Sequence, residues 1–109
     1  MRNRLAASAV LVMGLLAAAG TPRADYQGTL DALTRGLPPE VGALIHRIVD
    51  CNHWGGEEGY DEARTAEIVA AMDSLSCDVL DHDEAALRQR YGASPTVIRA
   101  LDKAKELLF

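Results

Sequence analysis

Apolar residues in this chain recur at helical intervals, and no segment alternates apolar and polar positions with the period of two that marks a half-buried strand. Tyr26, Leu30, Leu33 and Leu37 share one helical face, and Gly36 followed by Pro38 and Pro39 closes that segment. Pro39 suits a helix start, and Val41, Leu44, Ile45, Ile48 and Val49 make the clearest apolar stripe of the chain, running to about Cys51. A polar, glycine-rich loop from His53 to Tyr60 comes next. Asp61 is then placed to cap a third helix whose apolar face is Thr65, Ile68, Val69, Met72 and Leu75. Asp81 with Glu84 three residues on resembles a capping box opening a short helix to Tyr91, which Gly92 stops. Ser94 and Pro95 form a cap and first-turn pair for a last helix striped by Val97, Ile98, Leu101, Ala104 and Leu108, with Lys103 and Lys105 at the end its dipole favours. The pattern predicts an all-α fold, a small bundle of four or five short helices.

The first residues follow a different pattern. Arg2 and Arg4 precede an apolar and small-residue run from Leu5 to Leu16, and Ala17 to Gly20 supply small residues for cleavage after Ala19 or Gly20. From Leu5 to Gly20 the run is 16 residues and rich in alanine, whereas a membrane-spanning helix wants about 20 strongly apolar ones. Residues 1–20 therefore read as a signal peptide and residues 21–109 as one exported helical domain, periplasmic or secreted and away from the membrane once cleaved. No cysteine stands near the cleavage site, which argues against a lipoprotein.

Charge then narrows the class of partner. The 109 residues carry 11 basic and 16 acidic side chains, net -5, and discarding Arg2 and Arg4 makes the remainder more acidic still. A nucleic-acid binder needs a basic stripe to displace counterions, and the sequence has none. A composition of 49% hydrophobic and 25% charged residues is that of an ordinary globular domain.

A domain this small is marginal without an added restraint, which draws attention to Cys51 and Cys77. In an oxidising compartment an even count of two reads as one disulfide. Closing the 26-residue loop between them stabilises by roughly 3.5 kcal/mol on the chain-entropy argument. The rival reading, zinc held by Cys51, His53, Cys77 and His82, has a spacing that fits none of the usual paired-ligand patterns. Geometry complicates the bridge. A tight hairpin of helices ending at Cys51 and Leu75 would set the cysteines about 24 Å apart. The linker from Asn52 to Tyr60 is therefore expected to run back along the third helix, with Trp54 and Tyr60 packed beneath it.

Candidate chemistry is sparse. His46, Asp50 and His53 would share one face if the second helix continued through His53, and two imidazoles with a carboxylate could then hold zinc, copper or nickel. The loop concentrates His53, Trp54, Glu57 and Glu58, a set that could anchor and steer a basic protein partner. For Trp54 itself the favoured account is that it closes the core over the disulfide. The acids Asp78, Asp81, Asp83 and Glu84 lack the ligand alternation of a calcium loop. With no nucleophile motif, phosphate cradle, haem-attachment sequence or redox cysteine pair, the expectation is a non-enzymatic protein without a cofactor. It would bind another macromolecule, as an inhibitor or immunity protein of a basic hydrolase or toxin would; the alternative is a periplasmic metal-binding protein using His46, Asp50 and His53.

Overall fold

Within the second helix Leu44 and Ile45 are adjacent in sequence yet both buried, as the i+3 and i+4 positions of one broad apolar face starting at Val41. The computed structural model describes residues 22–107, with side chains from residue 25, and among them the regular elements are all helical. These are α1 (Pro22–Thr34), α2 (Pro39–Gly55), α3 (Glu62–Ser74), a 3-10 turn (Cys77–Val79), α4 (Leu80–Arg90) and α5 (Pro95–Glu106). The all-α bundle of five short helices with one Cys51–Cys77 disulfide is therefore the fold. The predicted signal peptide, residues 1–20, and Leu108 lie outside the described residues.

The core is made by three helices. Leu30 of α1, Val41, Leu44, Ile45, Ile48 and Val49 of α2, and Val97, Ala100, Leu101 and Ala104 of α5 form one buried cluster. Each large side chain among them contributes about 1.5–3 kcal/mol by leaving water. Leu80 and Leu87 of α4 and Tyr91 just after it pack on this cluster half-buried. Gly36 at φ 78° supplies the left-handed turn between α1 and α2. Ser94 caps α5 by accepting from the Val97 N–H at 3.3 Å, with Pro95 in the first turn.

Helix α3 is built differently: none of its residues is buried. Of its predicted apolar face, Ile68, Met72 and the following Leu75 are half-buried against the bundle, whereas Thr65 is exposed and Val69 is 52% exposed. The predicted cap holds, since Asp61 accepts from the Arg64 N–H at 2.7 Å.

Two expectations about the linker are corrected. Helix α2 does not end near Cys51 but continues one turn to Gly55, where Gly56 closes it by donating to the Asn52 and His53 carbonyls. Cys51 is thus inside the helix, about 6 Å short of its end, and α3 folds back antiparallel. Arg64 meets Trp54 at one end of this hairpin, and the Leu75 carbonyl meets Arg47 at the other. The cysteines come within 5.7 Å between Cα atoms without a linker lying along α3. Tyr60, expected beneath that linker, is 79% exposed. Gly59 is the loop glycine that a close approach demands, because a Cβ there would collide with the Thr65 hydroxyl.

The capping box at Asp81 and Glu84 is also corrected. The disulfide fixes Cys77, the 3-10 turn follows at once, and α4 begins at Leu80 without a side-chain cap. Asp81 consequently falls inside the first turn. Glu84 turns inward to 6% exposure and accepts from Arg88 at 2.8 Å and Lys105 at 3.3 Å, joining α4 to α5.

Candidate functional site

The residues singled out in the loop divide into two groups. His53 and Trp54, in the last turn of α2, are half-buried, with their rings edge to face at 5.6 Å. The Arg64 guanidinium lies over the indole at 5.4 Å, within range of a cation–π contact. The same guanidinium pairs with Glu57 at 3.0 Å and Glu67 at 3.0 Å, and His53 reaches Glu57 at 3.4 Å. His53, Trp54 and Glu57 therefore knit the tip of the α2–α3 hairpin together. Glu58 is exposed. Trp54 takes no place in the buried cluster; it is shielded by Arg64 and not by the core. Sequence reasoning passed over Arg64, although its spacing from Glu67, three residues on along a helix, is a recognisable pairing signal.

The alternative metal face meets its stated condition and then disperses. Helix α2 does persist through His53, so His46, Asp50 and His53 lie on one helix. Asp50, however, accepts the phenolic O–H of Tyr26 from α1, and burial together with that bond pushes the Tyr26 hydroxyl above its ordinary pKa. His53 is directed to Glu57 and Trp54. Among the described residues no group of three or more His, Cys, Asp or Glu side chains gathers as a metal would require. His82, of the rival zinc set, is exposed on α4 beside Asp83 at 3.5 Å, and both cysteines are taken by the disulfide.

The α3 side of the molecule has a composition of its own. The stretch from Glu57 to Asp83 holds nine of the 16 acids and a single arginine, Arg64. The three exposed large hydrophobic side chains among the described residues, Tyr60, Val69 and Val79, all belong to this same stretch. Arg47 of α2 reaches its edge, donating to the Leu75 carbonyl at 2.9 Å, the Ser76 carbonyl at 3.1 Å and Asp83 at 2.8 Å. First Arg47 and then His82 hold the Asp83 carboxyl below the usual range. Glu58, Glu62, Asp73, Asp78 and Asp81 are exposed.

Elsewhere on the surface, an open groove runs between α1 and α5. One section, of about 690 Å³, is lined by residues that include Gly28, Thr29, Leu33, Lys103 and Leu107, with Asp25 at its rim. The adjoining section, of about 580 Å³, shares Ala32, Leu33 and Lys103 with it and adds Arg35, Leu37, Arg99 and Ala100. No helix among the described residues is long and apolar enough to cross a membrane. No protein-family model, no curated protein and no solved structure matches the chain.

Proposed function

We propose that this chain is an exported, disulfide-stapled helical protein that binds a cationic protein through the α3 side of the bundle, in the manner of an inhibitor or immunity protein of a basic hydrolase or toxin. The observation that carries the reading is the coincidence of charge and exposed apolar surface. The segment richest in acid is also the one presenting Tyr60, Val69 and Val79 to solvent. Protein interfaces combine an aromatic or aliphatic anchor with a charged rim that steers encounter. Helix α3, which buries no residue in its own fold, has that surface to spare. Support for export comes from the disulfide, a bond typical of oxidising compartments.

The expected surface moves from the loop onto the helix. Glu57 and Trp54 are engaged by Arg64, so the groups offered outward are Glu58, Tyr60, Glu62, Val69 and Asp73. The test is affinity capture from a periplasmic extract with the oxidised protein, followed by titration of any basic protein recovered. Binding should weaken at least tenfold in Glu62→Lys with Asp73→Lys, and again in Tyr60→Ser. It should also fall steeply with salt. Binding unmoved by these changes, or capture of acidic proteins only, would refute the assignment.

A further inference from the structure

The cations of this acidic protein are not evenly engaged. Among the lysines and arginines whose side chains are described, Arg47, Arg64, Arg88, Arg90 and Lys105 each pair with a carboxylate. Arg35, Arg99 and Lys103 do not, and all three line the groove between α1 and α5. In a chain with more acids than bases, the section of the groove by Leu37 sets these three cations against Asp102 and Glu106, and Asp102 is already paired with Arg88, so that section carries an excess of positive charge.

We propose that this groove binds a free single-chain fatty carboxylate, with its headgroup between Arg35, Arg99 and Lys103 and its acyl chain along Leu33 and Ala32 toward Leu107. The groove is polarised in the way such a ligand requires. Its two arginines stand in the Leu37 section and Lys103 where the two sections meet, while Asp25 stands at the far end and disfavours a headgroup there. Arg99 and Lys103 are four residues apart and so neighbour one another on α5, and an arginine fork takes a carboxylate with two hydrogen bonds. Of the two acids on the cationic section, Asp102 is held by Arg88 at 2.7 Å, which leaves Glu106 against three cations. Much of the lining is small or apolar, from Gly28 through Ala32 and Leu33 to Ala100, and each section's volume falls within the usual range for small-molecule sites. An open trough between two short helices accommodates one acyl chain and does not enclose a two-chain lipid.

The test is titration of the oxidised exported form, residues 21–109, with sodium dodecanoate below its micellar concentration, followed by two-dimensional amide NMR. Shifts should be confined to residues 28–37 and 96–107. Arg35→Glu with Lys103→Glu should weaken binding at least tenfold, and Arg99→Gln alone should weaken it severalfold; all three positions lack ion pairs, so folding is preserved and is checked by circular dichroism. Dodecyl maltoside, which has the chain without the charge, should bind at least tenfold more weakly than dodecanoate. Equal binding of the two amphiphiles, no loss in the charge-reversed variant, shifts on α3, or no binding at all would each overturn the proposal. Preferential binding to an acidic peptide, or to phosphatidylglycerol vesicles without competition from dodecanoate, would overturn it in favour of a protein or membrane surface.

Discussion

Reducing the Cys51–Cys77 bond should cost this protein a large share of its stability. The bridge spans a sequence separation of 26 residues, and the segment it encloses includes α3, which contributes no buried side chain to the core. Loop-closure entropy for that length corresponds to about 3.5 kcal/mol at room temperature. Total stability at about 0.05–0.15 kcal/mol per residue would be under about 13 kcal/mol for a domain of this size. What holds the arm without the bond is Arg47 on the Leu75 and Ser76 carbonyls and on Asp83, together with the half-buried Ile68, Met72 and Leu75. The assay is urea unfolding followed by circular dichroism, comparing the oxidised protein, the same protein with a phosphine reductant, and Cys51→Ala with Cys77→Ala. The extrapolated free energy should fall by about 3–4 kcal/mol on reduction and by slightly more in the double variant, because Cys51 is buried and its truncation leaves a small void. A loss below about 1 kcal/mol would refute the reasoning, since packing and Arg47 would then suffice to hold the arm.

Four further outcomes are expected. Glu84→Ala should destabilise by about 2 kcal/mol in urea unfolding, below the range for a fully buried pair because Arg88 keeps Asp102, while Glu84→Gln should recover part of the loss. Ser76 adopts the left-handed region at φ 52°, so Ser76→Gly should raise stability by roughly 0.5 kcal/mol, with the relief of strain partly offset by a freer unfolded chain. Arg64→Ala should shift Trp54 fluorescence to the red by removing the guanidinium over the indole. Glu40, lowered first by the Tyr91 hydroxyl and then by Arg90, and Asp83, lowered by Arg47, both have folded pKa values below their unfolded ones. Their contribution is present above about pH 4 and is lost as pH falls through the folded values, so thermal midpoints should drop on acidification, and less so in Arg47→Gln.

The parts of the fold legible in the sequence are those where local signals agree. Pro39 with a five-residue apolar stripe marked α2, Ser94 with Pro95 marked the start of α5, and an even cysteine count marked the bridge. Misreading began where a tertiary contact overrode a local one. Gly55 and Gly56 suggested a loop from His53 onward, yet α2 extends one more turn, where Arg64 from the next helix covers Trp54. Asp81 and Glu84 had the spacing of a capping box, but the disulfide brings α4 in earlier and draws Glu84 inward to Arg88 and Lys105. Val69 had the period of a core position and lies exposed, because period alone does not say whether another layer covers the helix. The four loop residues were legible as an unusual set. Their division into a tied tip and an outward Glu58 was not, since it depends on a guanidinium seven residues beyond Glu57.

Arg47 has a consequence for how the staple is made. With one side chain it binds the carbonyls of Leu75 and Ser76 and the carboxylate of Asp83, on either side of Cys77, from a position one turn before Cys51 on α2. Once an external disulfide such as oxidised glutathione has formed a mixed disulfide at one cysteine and released one glutathione thiol, that grip holds the other thiolate beside it, so displacement of the second glutathione is a reaction between prearranged neighbours and not a search between distant sulfurs. An arginine that adds modestly to the finished fold would thereby set the rate of its oxidation, and Arg47→Ala should form the bond more slowly from the same reduced starting material at the same concentration of oxidised glutathione.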